Sequence, residues 1–374
     1  MSDVDADYHI DASPEAGVPI ECTTYDFCAL PSFRLPITAE DIDVFGISLW
    51  GSNIAYNKAV DFPFGDPPQI FSFDLERCVE CKLTSSAEAD GQVNLWQDEI
   101  YFENYRGDLS PPQRDIFRYS FESSDYTALT ESDYVEQTPF GNNEFVIFKR
   151  CTSNQIGCGK ALILFSVENN SEIELAPDFA VAAYYDISDA YVVYSAYTGY
   201  PQSVGRDVFY YDLFSQQNIH LETTMPGYHY GVQVWGDYIT WYVSDFGMYG
   251  PFYLMLYHIP SSEEVLVSDG GEALAEGRIH ERIIAYNTNS YQGESMPFPS
   301  DIEIYDIDSS LKRRVTTQAC NLRVADVFLP YLLVVDVRSF QNNNPWYIYN
   351  LVQLGIVDAD GHVIEGEGVI DPPM

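Results

Sequence analysis

The chain has 374 residues and carries 57 Asp and Glu against 18 Lys and Arg, so its formal net charge is −39. A field this negative argues against binding nucleic acid or an anionic membrane through bulk charge, and against polyanionic substrates unless a local basic pocket or a bridging cation reverses the sign. No apolar run approaches the roughly 18 residues that a bilayer-spanning helix needs, so we expect no membrane insertion.

Residues 1–20 are acidic and polar and show no periodicity, so we expect a mobile acidic leader there and a single domain over residues 21–374. Beyond residue 20 a hydrophobic pattern recurs as strand, short turn, strand. Clear copies are ISLWGSNIAY from Ile47 and VQVWGDYITW from Val232. Aligning the copies assigns one anchor residue to each repeat, at spacings of 45 to 48 residues. The anchors are Trp50, Trp96, Gly141, Ile187, Trp235, His280 and Phe328.

The second half of each repeat recurs as well, as in DVFYYDLFSQQNIHLETT from Asp207. It reads as a period-2 strand, a polar turn and a short strand ending in Thr or Ser. Four strands in each repeat predict an all-β fold, a seven-bladed β-propeller of four-stranded antiparallel blades; six or eight blades is the alternative. We expect the N-terminal stretch, at least Phe33 to Thr38, to supply the outer strand of the last blade, with the C-terminal hairpin displaced or serving as an inner partner.

These repeats resemble those of TolB-like (WD40-like) propellers, which occur in periplasmic and secreted bacterial proteins. The resemblance lies in VWGDYITW from Val234 and in the DVFYYDL segment from Asp207 with its Leu-Thr ending. It implies an extracytoplasmic setting and a face that docks a protein or another ligand. It implies no catalytic residue, because such propellers carry many unrelated functions.

The cysteines suggest an oxidising compartment. Cys78 and Cys81 flank a tight turn, where we expect a local disulfide; half of a zinc or redox site is the alternative. Cys151 and Cys158 bracket a second loop, where another local disulfide is expected. The pairing of Cys22, Cys28 and Cys320 stays open, with a bridge from one of the first two to the third as one option. We expect a secreted or periplasmic protein whose export signal is absent from this sequence.

The long loops between the second and third strands of the repeats hold a candidate binding face. Tyr and Trp beside Asn, Gln and Arg suit sugar stacking or peptide contacts, while the alternative is that the rings pack on the core and the arginines pair with acidic residues. The candidate ligand-binding residues are Tyr105, Arg106, Tyr197, Tyr200, Arg206, Tyr249, Tyr291, Arg338, Trp346 and Tyr347.

Along the innermost strands, polar residues occur at every second position. They predict the lining of a central channel, which would hold waters, one ion or a ligand. The predicted lining residues are Gln92, Asn94, Gln137, Gln233, Glu276, Arg278 and Asp326. His280 falls on an anchor position shared with tryptophans, so we expect it to be a packing residue.

A catalytic site has weak support. His229 beside Tyr228 could act as base and acid in β-elimination, with Arg278 meeting the carboxylate of a uronate. No nucleophile elbow, phosphate loop or HExxH motif occurs. We expect no cofactor, although the acidic surface could bind Ca²⁺. The sequence therefore favours a binding or scaffold module for a protein or a neutral glycan, with a polysaccharide lyase or other hydrolytic enzyme, and a calcium-binding structural propeller, as alternatives.

Overall fold

A computed structural model describes residues 21–25, 30, 32–36, 46–58, 68–84, 90–106, 113–151, 160–176, 184–197, 205–244, 252–289, 300–316, 322–336 and 345–366. The regular structure of these residues is β-strand throughout. No helix among them could cross a membrane.

Strands that are buried at consecutive positions, and so on both faces, succeed one another in antiparallel groups of four. Two short strands, β1 (Glu21–Thr24) and β2 (Ser32–Arg34), precede the first group. The first three groups are β3 (Ile47–Trp50), β4 (Asn53–Lys58), β5 (Gln69–Asp74) and β6 (Val79–Lys82); β7 (Asp90–Trp96), β8 (Glu99–Arg106), β9 (Gln113–Ser120) and β10 (Asp125–Ala128); and β11 (Val135–Gly141), β12 (Phe145–Cys151), β13 (Lys160–Ser166) and β14 (Ser171–Ala176).

The later strands follow the same plan. They are β15 (Tyr185–Ile187), β16 (Tyr191–Tyr197), β17 (Arg206–Asp212), β18 (Gln217–His220), β19 (Tyr228–Trp235), β20 (Tyr238–Ser244), β21 (Phe252–His258), β22 (Glu263–His280), β23 (Ile283–Asn289), β24 (Ser300–Asp306), β25 (Lys312–Arg314), β26 (Leu322–Phe328), β27 (Tyr331–Asp336) and β28 (Trp346–Asn350). The long strand β22 pairs first with β21 and then with β23, so it ends one group and begins the next. We call each group a blade and name it by its innermost strand.

Tight turns join the first two strands of each blade and set their register. In the β19 blade, Trp235 pairs directly with Tyr238, which leaves a two-residue turn. The first turn residue, Gly236, has φ +53°, a left-handed conformation that a primed hairpin turn needs and that glycine adopts without strain.

The N-terminal segment connects the first and last blades. Strand β2 is the outer strand of the β26 blade, where Phe33 pairs with Ile348, and the Leu35 N–H donates to the Trp346 carbonyl at 2.9 Å. Strand β1 pairs instead with β6 of the β3 blade. The predicted pairing of the N-terminal stretch with the last repeat is thus observed, over Ser32–Arg34; residues 37 and 38 lie outside the described residues.

The core lies between blades, because each blade has apolar side chains on both faces. One cluster joins Leu49 and Phe73 of the β3 blade to Leu333 and Ile348 of the β26 blade, so the first and last blades pack on each other. The turns after β28 lie outside the four-stranded sheet and bury Ile356 against the last two blades. The C-terminal stretch is therefore displaced, which was one of the two expected arrangements.

The disulfide prediction for Cys78 and Cys81 is wrong. Cys81 bonds to Cys22, which faces it across the β1–β6 pair with the two Cα atoms 4.2 Å apart. Cys78 and Cys151 are also disulfide-bonded. Cys28, Cys158 and Cys320 lie outside the described residues, so the predicted bond between Cys151 and Cys158 stays a prediction. The sequence suggested a bond across the turn, whereas the bond formed with β1 because that strand pairs with β6.

Candidate functional site

The innermost strands of the blades surround a central cavity of about 760 Å³. Its lining includes residues of each innermost strand and the anchors Trp50, Trp96, Trp235, His280 and Phe328. Among the predicted channel residues, those that line the cavity are Gln92, Asn94, Gln233, Arg278 and Asp326. Gln137 is not among the lining residues, and the side chain of Glu276 lies outside the described residues.

Aromatic anchors close one end of the cavity. The Trp50 ring centroid lies 4.2 Å from that of Trp96, 5.4 Å from that of Trp235 and 4.8 Å from that of Phe328. The His280 ring joins them, 3.7 Å from Phe328. Since rings from non-neighbouring blades touch, they form a plug across the axis. We call these five residues the aromatic plug.

His280 is a packing residue, as expected from its anchor position. Its side chain is 2% exposed, and burial lowers its pKa to about 3, so the ring is neutral at physiological pH. Nδ1 accepts the backbone N–H of Leu329 at 3.3 Å, which orients the ring within the aromatic plug.

Two anchors are shifted by one residue from the sequence alignment. In the β11 blade, Asn142 and not Gly141 occupies the turn position, because its N–H pairs with the Phe145 carbonyl. In the β15 blade, Ser188 and not Ile187 does so, and its carbonyl accepts the Asn142 Nδ2–H at 2.6 Å. These polar anchors lack the aromatic signal that fixed the alignment elsewhere.

Side chains two positions before the anchors join neighbouring blades. Ser48 Oγ accepts the backbone N–H of Leu95 at 3.1 Å, and Asn94 Oδ1 accepts that of Gly141 at 3.1 Å. Gln233 Oε1 accepts the Ile279 N–H in the same way at 3.2 Å. Each of these polar lining residues therefore satisfies an inner N–H of the next blade.

Asp186 and Asp326 each accept two backbone N–H groups, one from another blade and one from their own strand. Asp326 accepts the N–H groups of Leu49 of the first blade and of Val327 in its own strand, at 2.8 and 2.9 Å. In the blade before that of Asp326, the residue two positions before the anchor is Arg278. Its guanidinium cannot accept a hydrogen bond from the Val327 N–H, so Asp326 accepts both this N–H and that of Leu49. Asp326 also lies 4.0 Å from the Arg278 Nε.

Asp186 repeats this arrangement in the β15 blade. Its carboxylate accepts the N–H groups of Ile187 and Val234 at 2.9 and 3.1 Å, and the preceding blade offers only Phe140. Burial raises the pKa of Asp186 to about 6 and raises that of Asp326. The sequence analysis missed Asp186 because of the one-residue shift; the equivalent Asp326 was the signal that could have found it.

The other end of the cavity carries basic and aromatic side chains. Lys149 and Arg323 line it. Arg278, two residues before the anchor His280, also lines the cavity, and its side chain is 44% exposed. Tyr184, which precedes β15, also lines it and is 37% exposed. We call this end the mouth. The described cavity lining has three basic side chains and two carboxylates, Asp186 and Asp326, in a chain whose net charge is −39.

A tyrosine cluster surrounds Arg206 beside Tyr184. The guanidinium carbon lies 4.8 Å from the Tyr197 ring centroid, 5.4 Å from that of Tyr230 and 6.0 Å from that of Tyr184. Nη2 donates to the Tyr197 hydroxyl at 2.9 Å. Two of the candidate ligand-binding residues, Tyr197 and Arg206, are therefore brought together.

The proposed catalytic pair does not form a base and acid at the cavity. His229 is 1% exposed and is not a lining residue. Its Nδ1 contacts the Arg206 carbonyl, and its Nε2 lies 3.2 Å from the Met225 carbonyl. Both ring nitrogens are thus engaged by protein atoms, an arrangement that disfavours proton abstraction by His229. Tyr228 is half-buried and stacks on Tyr230.

The remaining loop-face candidates are dispersed. The Tyr105 ring packs under Arg114, whose guanidinium carbon is 4.0 Å from the ring centroid. Trp346 is half-buried and lines the cavity, whereas Tyr347 is only 7% exposed and belongs to the core. The strand of Tyr347 turns that ring between blades, an arrangement that disfavours a contact with a ligand. The candidates whose side chains lie outside the described residues are Arg106, Tyr200, Tyr249, Tyr291 and Arg338.

One group of described residues, Asp306, Asp308 and His362, brings three possible metal ligands together. The Arg282 guanidinium lies among them, with Nη1 2.6 Å from His362 Nε2 and 3.3 Å from the Asp308 carboxylate. Asp306 is further committed to the backbone N–H of Val363 at 3.1 Å. A cation would have to displace the guanidinium, so these residues do not fit a metal site.

No protein-family model matches the chain, and no curated protein matches its sequence. Solved structures do match. An oligogalacturonate lyase in complex with manganese is 12% identical, with a TM-score of 0.59, over 89% of this chain and 96% of its own. The β-propeller domain of the Trilobed protease from Pyrococcus furiosus is 12% identical, with a TM-score of 0.59, over 82% of this chain and 93% of its own.

A TolB from Acinetobacter baumannii is 11% identical, with a TM-score of 0.47, over 70% of this chain and 62% of its own. At identities this low, likeness shows the fold alone. The chain has the β-propeller fold that its repeats predict. Its function has to be argued from the cavity and the mouth.

Proposed function

We propose that this protein is an extracytoplasmic binding module that binds a glycan at the mouth of its central cavity. The observation that carries the proposal is the cavity itself, about 760 Å³, closed by the aromatic plug at one end and rimmed by exposed side chains at the other. A volume of this size lies within the range of small-molecule pockets, roughly 300–1,000 Å³.

The scaffold of this module is a ring of seven blades formed by residues 21–374, with residues 1–20 as a leader. Support comes from the segment that carries β1 and β2, because it pairs with the first and the last blade, and from the core cluster that these blades share. The Cys22–Cys81 disulfide supports a secreted or periplasmic location, since such bonds persist in oxidising compartments.

A glycan suits the mouth because sugars need flat rings beside amide and hydroxyl groups. Tyr184 supplies an exposed ring, and Gln92 and Gln233 supply amides. The net charge of the chain favours a neutral glycan, whereas the local charge of the mouth also admits an acidic one. A protein that docks across the rim is the alternative partner.

A polysaccharide lyase is the second candidate function. The observation in its favour is that Lys149, Arg278 and Arg323 line the cavity, since a uronate substrate needs positive charge beside its carboxylate. A structural neighbour is an oligogalacturonate lyase. Elimination also needs a base, and His229 is buried with both ring nitrogens engaged. We therefore favour a binding protein over an enzyme. A calcium-binding propeller has less support, because the Arg282 guanidinium lies among the three possible metal ligands.

Calorimetric titration with a panel of oligosaccharides tests the proposal. Tyr184→Ala removes an exposed ring from the mouth and is expected to weaken glycan binding roughly tenfold, as the loss of one stacking contact should. Phe214→Ala is the control, because that ring is 81% exposed in the turn between β17 and β18. Unchanged affinity in Tyr184→Ala would place the site elsewhere, and release of unsaturated products would favour the lyase.

A further inference from the structure

We propose that Arg206 is an anion subsite beside the mouth and that the glycan bound there carries a carboxylate. This inference rests on the proposed function and names the chemical class of its ligand, a glycan containing a uronic acid.

The first observation is how firmly the guanidinium is positioned. Rings of Tyr184, Tyr197 and Tyr230 surround it, and the Tyr197 hydroxyl accepts one of its N–H groups at 2.9 Å. The backbone is held as well, because the carbonyl of Arg206 contacts the buried His229 ring. An arginine fixed in this way loses little conformational entropy when an anion binds.

The second observation is that no carboxylate of the described residues pairs with Arg206. Two other arginines that stack on tyrosine rings are neutralised: Arg114 by Glu103 at 3.1 Å and Arg150 by Glu136 at 2.6 Å. Acidic residues outnumber basic ones 57 to 18 in this chain, so a stacked guanidinium without an acidic partner is unexpected. Such a group binds planar anions through charge-assisted hydrogen bonds.

The third observation is location. Tyr184 contacts the Arg206 guanidinium and also lines the cavity, so an anion on Arg206 would lie beside a sugar stacked at the mouth. Nη2 donates one N–H to the Tyr197 hydroxyl, and the other N–H groups of Nη1 and Nη2 are the donors that a ligand carboxylate would use. Arg206 thus selects for a carboxylate at the mouth, where the aromatic rings select only for the shape of the sugar.

The test compares matched ligands. Glucose-, galactose- and mannose-based oligosaccharides are titrated alongside the same compounds oxidised at C6 to carboxylates. The wild-type protein is expected to bind at least one oxidised compound roughly ten- to a hundredfold more tightly than its neutral form, as a charge-assisted bond should give. Arg206→Gln should reduce this preference to within roughly threefold.

Variants separate the contact from general effects. Tyr197→Phe keeps the ring but loses the hydroxyl that holds Nη2, so it should show an intermediate preference for the oxidised form. Lys312→Gln removes an exposed positive charge on β25 and should keep the full preference. Thermal unfolding of each variant checks that it is folded.

Each outcome of these titrations tests the inference, the proposed function or both. Equal binding of neutral and oxidised compounds would overturn the inference and leave the proposed function standing. A preference that survives in folded Arg206→Gln would also overturn it, since the anion would then be bound elsewhere. If no compound of either kind binds, both the inference and the proposed function fail.

Discussion

Asp326 accepts the backbone N–H of Leu49 at 2.8 Å, although 277 residues separate the two. The bond joins the innermost strands of the last and first blades, β26 and β3. Its other carboxylate oxygen accepts the Val327 N–H at 2.9 Å. One side chain therefore completes the inner hydrogen bonding on both sides of the closure.

Asp326→Ala should destabilise the protein by roughly 2–4 kcal/mol, because it leaves two inner N–H groups without acceptors. Urea unfolding measures the change. The control is Asp98→Ala, at an exposed turn position, which should change the free energy of unfolding by less than about 0.5 kcal/mol. Equal effects of the two substitutions would show that the inter-blade bond contributes nothing.

Asp186 should make stability fall as pH rises. Its pKa of about 6 in the folded protein lies above the value near 3.9 in unfolded chains, so the folded state binds more protons between about pH 4 and pH 6. Raising the pH through that window therefore removes stability. Carboxyl NMR titration should show a group near pH 6 that disappears in Asp186→Asn, and a titration below pH 4 would contradict this origin.

Trp96→Ala should cost about 3–5 kcal/mol, because the ring is 7% exposed and packs both in the aromatic plug and between two blades. Chemical unfolding followed by tyrosine and tryptophan fluorescence measures the loss. Phe214→Ala, at an 81% exposed ring, should be neutral. A loss below about 1 kcal/mol for Trp96→Ala would mean that the plug is loosely packed.

Peptide mapping without reduction should recover a cross-linked peptide that contains Cys22 and Cys81. Cys22→Ser should lower stability by roughly 2–5 kcal/mol under oxidising conditions, because it frees the N-terminal strand from the first blade. Under reducing conditions, where the bond is absent from both proteins, the variant and the wild type should have the same free energy of unfolding. A peptide in which Cys78 and Cys81 are bonded to each other would contradict the structure.

The candidate site was only partly predictable. The polar parity of the inner strands pointed to Asn94, Gln233 and Asp326 because period-2 alternation survives in a single sequence. Asp186 was missed because the anchor after its strand is Ser188, a small polar residue with no aromatic signal. His229 looked available in the sequence, but its ring is buried and contacts the carbonyl of Arg206, which lies on the neighbouring blade's strand β17.

The sequence by itself determined the strands, their turns and the repeat, since these follow from local alternation and from turn chemistry. It also determined that the chain has the β-propeller fold, because strands with two apolar faces have to stack. Only the tertiary structure decided that Cys22 bonds to Cys81, that the anchors meet in a plug, and that Arg206 stacks among tyrosines without a described carboxylate partner. Those relationships join residues from different strands or blades, and their distances are set by how the strands pair and pack and not by any local pattern.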